Sequence, residues 1–306
     1  MTPEPVLGTM TFGDTVDAGT AGRMLDLALD AGVSGVDAAN GYAGGAAEEI
    51  LGELLRGRRN RVVLATKAGI PHPDAGDHSP LSPAGLRASL EGSLRRLRTD
   101  HVDLFYLHQP DRATPLDDTL GTVAELVAEG KIGALGVSNY AAWQIAGMRP
   151  RPVVAQQLYN LLARRIEDEY AEFALTGGLR TMVYNPLGGG LLTGRHRFDQ
   201  APEAGRFGAS RLAAMYRRRY WDAELFKAVE ELGAIARAAG MPLAELSLRW
   251  LAGKPVVGAV LLGASALDHL RANLAALAAG PLPADVATAC DAVGDALRGP
   301  MPAYNR

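Results

Sequence analysis

The chain has 306 residues, 48% of them hydrophobic and 21% charged, with a net charge of −3. It is long enough for a large buried core, and its slight acidity, with Arg217-Arg218-Arg219 the basic run that stands out, excludes a general nucleic-acid binder. One cysteine, Cys290, excludes an internal disulfide and a cysteine-based metal cluster, and no apolar run reaches the ~20 residues of a membrane span.

The start, MTPEPVLGTM, has neither a basic segment nor a long apolar one, so no signal peptide is expected. With a single cysteine, a cytoplasmic setting fits. From there the pattern alternates. Val6 to Phe12 reads as a strand and Thr20 to Ala31 as a helix. Val33 to Ala38 is a second strand, and Ala46 to Arg56 its helix. Arg61 to Lys67 is a continuous apolar run ending in lysine, as in a strand buried on both faces. Ser82 to Arg98 is a helix, with Ser82 as N-cap, Pro83 in the first turn and Leu86, Leu90, Leu94 and Leu97 on one stripe. Val102 to His108 is a strand, and Pro115 to Glu129 a helix closed by Gly130. Ile132 to Tyr140 is a strand running into Ser138-Asn139, which can cap a short helix. Val153 to Gln156 and Leu179 to Tyr184 are strands flanking a helix at Glu167 to Leu175. An irregular stretch follows, from Asn185 to about Tyr220. Helices at Leu225 to Ala239 and Leu243 to Ala252, a strand at Val256 to Gly263, and helices at Ala266 to Ala279 and Pro283 to Leu297 complete the chain.

Strands that alternate with helices make a parallel sheet. Eight such units without a linker favour a (β/α)8 TIM barrel, an α/β fold, with long loops on the C-terminal face and extra C-terminal helices. Residues 1–306 are expected to form a single domain. No GxGxxG follows the first strand, so a dinucleotide would not be held in the doubly wound manner.

The strand ends carry the chemistry. Asp37 with nearby Tyr42, then Lys67, His108, Ser138-Asn139, Gln156 and Tyr184, would all rise at one rim. Lysine beside tyrosine lowers the phenol pKa, aspartate holds the lysine, and neutral histidine can hydrogen-bond a carbonyl oxygen. That set is a proton donor with a polarising group, as carbonyl reduction by hydride requires. Singly, each has an ordinary structural explanation, such as a helix cap or a rim aromatic. Their joint occurrence at successive strand ends favours the catalytic one. His72, His78, His101 and His196 lack metal-ligand spacing, so no metal is expected.

The segments VLGTMTFG, GVDAANGY, LATKAG, VDLFYLHQPD, GVSNY, QQLYN, YNPLGGGLLTG and LLGASALDHLRANL resemble the aldo-keto reductase superfamily, in its order and over nearly the whole chain. SNYAAW, GRFG, YRRRYW and PAYNR resemble its aflatoxin-aldehyde/succinic-semialdehyde reductase subfamily. The resemblance implies reduction of aldehydes or ketones to alcohols with NADPH (returned as NADP+). Tyr42 would be the general acid, Lys67 and Asp37 would tune it, and His108 would orient the carbonyl. Ser138, Asn139 and Gln156 would hold the nicotinamide carboxamide, and Tyr184 would stack on its ring. The run Asn185, Leu187, Gly189, Leu191 and Arg195 would wrap the pyrophosphate. Gly263, Ala264, Ser265, His269 and Asn273 would take the adenosine and 2′-phosphate, with Arg206 a further cofactor contact. Tyr216, Arg219 and Arg306 would line the substrate pocket. Position 265 is serine where many members carry lysine or arginine, so preference for NADPH leans on Arg206 and the helix N-terminus. Asn40-Gly41 replaces bulkier apolar residues of the subgroup and would open the pocket. The partner expected is a small-molecule carbonyl compound, with no nucleic acid or membrane, and a homodimer left open. The rivals are an NAD(P)-dependent alcohol or sugar dehydrogenase of the same fold, a cofactor-sensing regulatory subunit, and a barrel isomerase or aldolase using Lys67 as a Schiff-base nucleophile.

Overall fold

The computed structural model describes residues 2–299. Eight parallel strands close a barrel in chain order, each paired with its sequence neighbours and the last with the first. They are β1 (Glu4–Gly8), β2 (Gly35–Asp37), β3 (Val63–Ala68), β4 (Val102–Leu107), β5 (Ile132–Ser138), β6 (Val154–Leu158), β7 (Arg180–Tyr184) and β8 (Ala259–Leu262). The helices are α1 (Ala18–Asp30), α2 (Ala46–Leu54), α3 (Pro83–Leu97), α4 (Leu116–Ala128), α5 (Ala142–Ala146), α6 (Tyr170–Thr176), α7 (Ala213–Tyr220), α8 (Ala223–Ala238), α9 (Leu243–Ala252), α10 (Leu267–Ala278) and α11 (Ala284–Ala296). The expected (β/α)8 barrel with extra C-terminal helices is therefore the fold.

Side chains alternate along each strand, and the barrel has two cores as a result. Val6, Ala65, Tyr106, Val154, Met182, Ala259 and Leu261 fill the interior. Their neighbours Leu7, Val36, Leu64, Phe105, Leu107, Ala155, Val183 and Val260 face the helices in the larger outer core. Strands apolar on both faces read as unbroken hydrophobic runs in the sequence.

Ser82 caps α3, its Oγ accepting from Gly85 N at 3.2 Å, with Pro83 in the first turn. Three expectations need correction. The first strand ends at Gly8, and Phe12 is instead buried in a turn bridged to Val16. Ser138-Asn139 does not cap α5; its N-cap is Ala141, whose N–H is taken by Gln144 Oε1 at 3.0 Å. The stretch from 185 to 220 ends in a regular helix, α7, after 3₁₀ turns at Gly188–Thr193 and Gly205–Phe207.

Candidate functional site

The C-terminal ends of β2, β3 and β4 deliver three polar groups to one place. Asp37 is the last residue of β2 and is fully buried. In β3, Thr66 faces outward to Glu48 of α2, so Lys67 faces inward. Lys67 Nζ donates to Asp37 Oδ1 in a short ion pair, to Ala38 O at 2.7 Å and to Tyr42 Oη at 3.0 Å. All three ammonium donors are thereby used inside the protein. Tyr42 opens a tight turn, Tyr42–Gly45, in which Ala43, Gly44 and Gly45 take positive φ, so the phenol is aimed back over the strand ends. His108 follows β4 directly, and its ring meets that of Tyr42 edge-on at 6.0 Å. Asp37 Oδ2 is held by Gln156 Nε2 at 2.9 Å, and the Asp37 carbonyl by Thr9 N and Oγ1 at 3.1 and 2.9 Å.

The electrostatics follow from burial and that one ion pair. Burial pushes the Tyr42 phenol above its usual 10; Lys67 pulls it down, but less strongly. The expectation that lysine would leave the phenol below its ordinary value is corrected accordingly. Burial acts against the Lys67 charge, yet Asp37 and then Tyr42 outweigh it and hold its pKa above 10.5. Burial, with Lys67 next, lowers His108 to about 3, so the imidazole is neutral.

Above this group lies a cavity of about 710 Å³, within the usual size of a ligand site. It runs from Tyr42, Ile70 and His108 past Ser138, Asn139, Gln156 and Tyr184 to Ser265, His269 and Asn273. Asp37 and Lys67 lie beneath its floor, reached through Tyr42. The Tyr184 hydroxyl donates to Asn139 Oδ1 at 2.7 Å, and Asn139 Nδ2 donates to His108 O at 3.0 Å, which fixes both side chains at the rim. Asn185 Oδ1 accepts from Gly189 N at 2.7 Å, shaping the following loop. Leu187, Gly189, Gly190, Arg195, Arg206, Gly263 and Ala264 also line the cavity. Leu191 does not: its side chain is fully buried in the outer core. The Arg206 guanidinium is 5.2 Å from the Tyr216 ring, with Nη1 3.9 Å from Asp14 Oδ2. Tyr216 is buried between Arg206 and Arg219, the latter 5.9 Å from its ring. Arg306 lies outside the described residues.

These surroundings suit a long anionic cofactor. Among the described residues, Arg206 Nη1 is buried without a hydrogen-bond partner, Asp14 Oδ2 lying 3.9 Å away, which leaves a donor for an anion. Gly189 and Gly190, at φ of +71° and +104°, line the same space without side chains to obstruct it, their N–H groups given to Asn185 Oδ1 and Leu187 O. Sequence reasoning missed Asp14, Ile70 and Met215. Asp14 sits in the loop after β1, a strand end like the others, and could have been sought there; Ile70 and Met215 carry no polar signal.

The family model for "Aldo/keto reductase family" matches residues 6–295. "Aldo-keto reductase family 7 member A3" of Homo sapiens is 38% identical over 303 residues, covering 92% of this chain and 90% of that protein. "Aflatoxin B1 aldehyde reductase member 2" of Homo sapiens is 38% identical over 300 residues, covering 90% and 82%. "Probable voltage-gated potassium channel subunit beta" of Oryza sativa subsp. japonica is 34% identical over 285 residues, covering 89% and 86%. A family match across the whole barrel, joined to relatives this similar over nine-tenths of the chain, shows that the protein belongs to the aldo/keto reductase family of oxidoreductases.

Proposed function

We propose that the protein reduces aldehydes or ketones to alcohols with NADPH, as one cytoplasmic domain spanning residues 1–306, with Tyr42 as the general acid. The observation that carries this reading is the Lys67 ammonium, paired with Asp37 and 3.0 Å from the Tyr42 hydroxyl, on a floor shared with neutral His108. When bound, the reduced nicotinamide supplies a hydride to the carbonyl carbon. Tyr42 holds the proton that the carbonyl oxygen takes up, and burial keeps that proton on the phenol at neutral pH. The phenolate left behind is stabilised by Lys67, whose charge Asp37 secures. His108, uncharged, serves as a hydrogen-bonding group that orients the carbonyl without competing as an acid. Ser138, Asn139 and Gln156 hold the carboxamide and Tyr184 the nicotinamide face. Asn185, Leu187, Gly189 and Arg195 accompany the pyrophosphate, and Gly263, Ala264, Ser265, His269 and Asn273 take the adenosine end. Arg206, stationed near Asp14, adds a positive charge along the phosphates. Arg219, with Tyr216 beside it, favours a substrate with a carboxylate. The relatives named for aldehyde reduction support this direction of reaction; the intact contact between Tyr42, Lys67 and Asp37 favours turnover over a purely regulatory role.

The test is NADPH oxidation over a panel of neutral aldehydes, ketones and carboxylate-bearing aldehydes, repeated with NADH and with Tyr42→Phe. Wild-type turnover is expected, with Tyr42→Phe binding NADPH normally but losing roughly 10²- to 10⁴-fold in kcat. Near-normal reduction by Tyr42→Phe would remove this residue from the mechanism.

A further inference from the structure

The cavity wall next to Tyr42 is shared between two loops. Gly41, just before Tyr42, contributes no side chain, and Ile70 from the loop after β3 occupies that place instead. A Cβ on Gly41 would lie 2.4 Å from Ile70 Cδ1 and 3.3 Å from its Cγ1. Gly41 and Ile70 both line the cavity, and Ile70 is only partly buried. The opening expected from a small residue at position 41 is therefore filled.

The loop that carries Ile70 is anchored a few residues on. Asp74, in the same loop as Ile70, accepts from Arg96 Nη1 and Nη2 at 3.1 and 2.6 Å. Arg96 Nε donates to Glu48 Oε2 at 2.8 Å, and Glu48, fully buried in the first turn of α2, also accepts from Thr66 Oγ1. The same arginine lies against the turn that carries Tyr42, since a Cβ on Gly45 would be 2.9 Å from Arg96 Cδ. One guanidinium thus ties the loop bearing Ile70 to the turn bearing Tyr42. A bidentate charged pair of this kind holds its partners in one geometry.

Building on the reductase reading, we infer that Ile70, seated on Gly41, is a specificity-determining residue for the carbon next to the reacting carbonyl. A carbonyl oxygen within reach of the Tyr42 hydroxyl brings its neighbouring carbon alongside this wall. The branched side chain of Ile70 admits an unbranched aldehyde and rejects one branched at that carbon. Gly41 is what allows Ile70 to stand back from the cavity. Its φ and ψ of −75° and −9° are open to any residue, so a substitution there acts through the contact with Ile70 and not through backbone strain.

The experiment compares kcat/KM for butanal and its isomer 2-methylpropanal in wild type, Ile70→Ala, Gly41→Ala and the double variant. Wild type should prefer butanal. Ile70→Ala should raise the 2-methylpropanal-to-butanal ratio by about 10-fold, the size of effect that a few methylenes have in an apolar pocket. Gly41→Ala should lower the ratio, because its methyl group drives Ile70 into the cavity. With Ile70 already removed, the same change should leave the ratio within about twofold, the non-additivity of two groups in contact. Ile70→Val, a smaller perturbation of the fold, should move the ratio in the direction of Ile70→Ala. An active enzyme with an unchanged ratio in both Ile70 variants, or with equal effects of Gly41→Ala in both backgrounds, would overturn the inference alone. A wild type that turns over neither aldehyde would overturn this inference, and one that turns over no carbonyl compound of the wider panel would overturn the reductase reading with it.

Discussion

At the scale of single residues, burial sets the chemistry before any substrate arrives. Tyr42 is held above its ordinary pKa and His108 well below it, at about 3, so both are neutral through the physiological range. The histidine has a thermodynamic consequence with a definite sign. Unfolded, it binds a proton below about 6.5; folded, it resists protonation down to about 3. The unfolded chain therefore holds more protons between those values, and stability must rise with pH through that window. The contribution is fully present above pH 6.5 and is lost as the pH falls toward 3. At pH 5 the loss should be on the order of 1–2 kcal/mol. Urea unfolding of wild type and His108→Gln at pH 7 and pH 5 measures it, with the wild type expected to lose more. Equal losses would show that the imidazole accepts its proton freely in the folded state. The positions of Asp37, Lys67 and His108 were legible in the sequence because each ends an apolar run. Ile70 and Asp14 were not, because their significance lies in partners far along the chain: Gly41, 29 residues before Ile70, and Ser210, 196 residues after Asp14.

At the scale of elements, periodicity found helices wherever one face is buried, and apolar runs found all eight strands. Their ends were less legible. Hydrophobicity reports burial, and Phe12 is fully buried in a turn beyond β1. Helix α7 was hidden for the opposite reason, since only Tyr216 and Tyr220 of its eight residues are buried and Arg217 to Arg219 interrupt the pattern. Close packing between helices leaves a subtler mark. A Cβ on Gly52 of α2 would lie 2.2 Å from the carbonyl oxygen of Arg96 and 3.0 Å from the carbonyl carbon of Leu97, both backbone atoms of α3. Backbone cannot move aside as a side chain can. Gly52→Ala must push the helices apart at the point where Arg96 reaches Glu48 and Asp74. Overpacking of this kind costs about 1–3 kcal/mol, offset only in part by the better helix propensity of alanine. Denaturant unfolding should show a fall of about 2 kcal/mol. A change under about 0.5 kcal/mol would mean that α2 and α3 are not seated against each other.

At the scale of the whole molecule, the closed barrel gives eight loops one common rim, and the long segment after β7 crosses part of it. Asp14, in the loop after β1, accepts from Ser210 Oγ at 2.6 Å and from Arg211 N at 3.1 Å. Arg211 Nη1 reaches the carbonyl of Ala43, in the turn that begins with Tyr42, at 3.4 Å. Arg206 and Leu212 of this segment line the cavity, as do Thr11 and Thr15 from the facing loop. The Asp14 carboxylate thus joins two sides of the space assigned to the cofactor without belonging to the acid–lysine group below. Removing it should loosen the crossing segment and leave the barrel closed, because the strand pairing and the barrel interior lie elsewhere. A hydrogen bond to a charged group contributes about 1.5–3 kcal/mol. If about half of one such bond is expressed in holding the cofactor, NADPH should leave roughly 10-fold faster, since tenfold corresponds to about 1.4 kcal/mol. Stopped-flow release of NADPH from wild type and Asp14→Ala measures this directly. Thermal unfolding supplies the control: without NADPH the two proteins should melt within a few degrees of each other, and with NADPH the wild type should gain more. A ligand bound only by the folded state stabilises it according to its own affinity. Equal release rates would show that the segment from 205 to 212 does not restrain the cofactor, and that the contacts of Asp14 serve only to shape the loop.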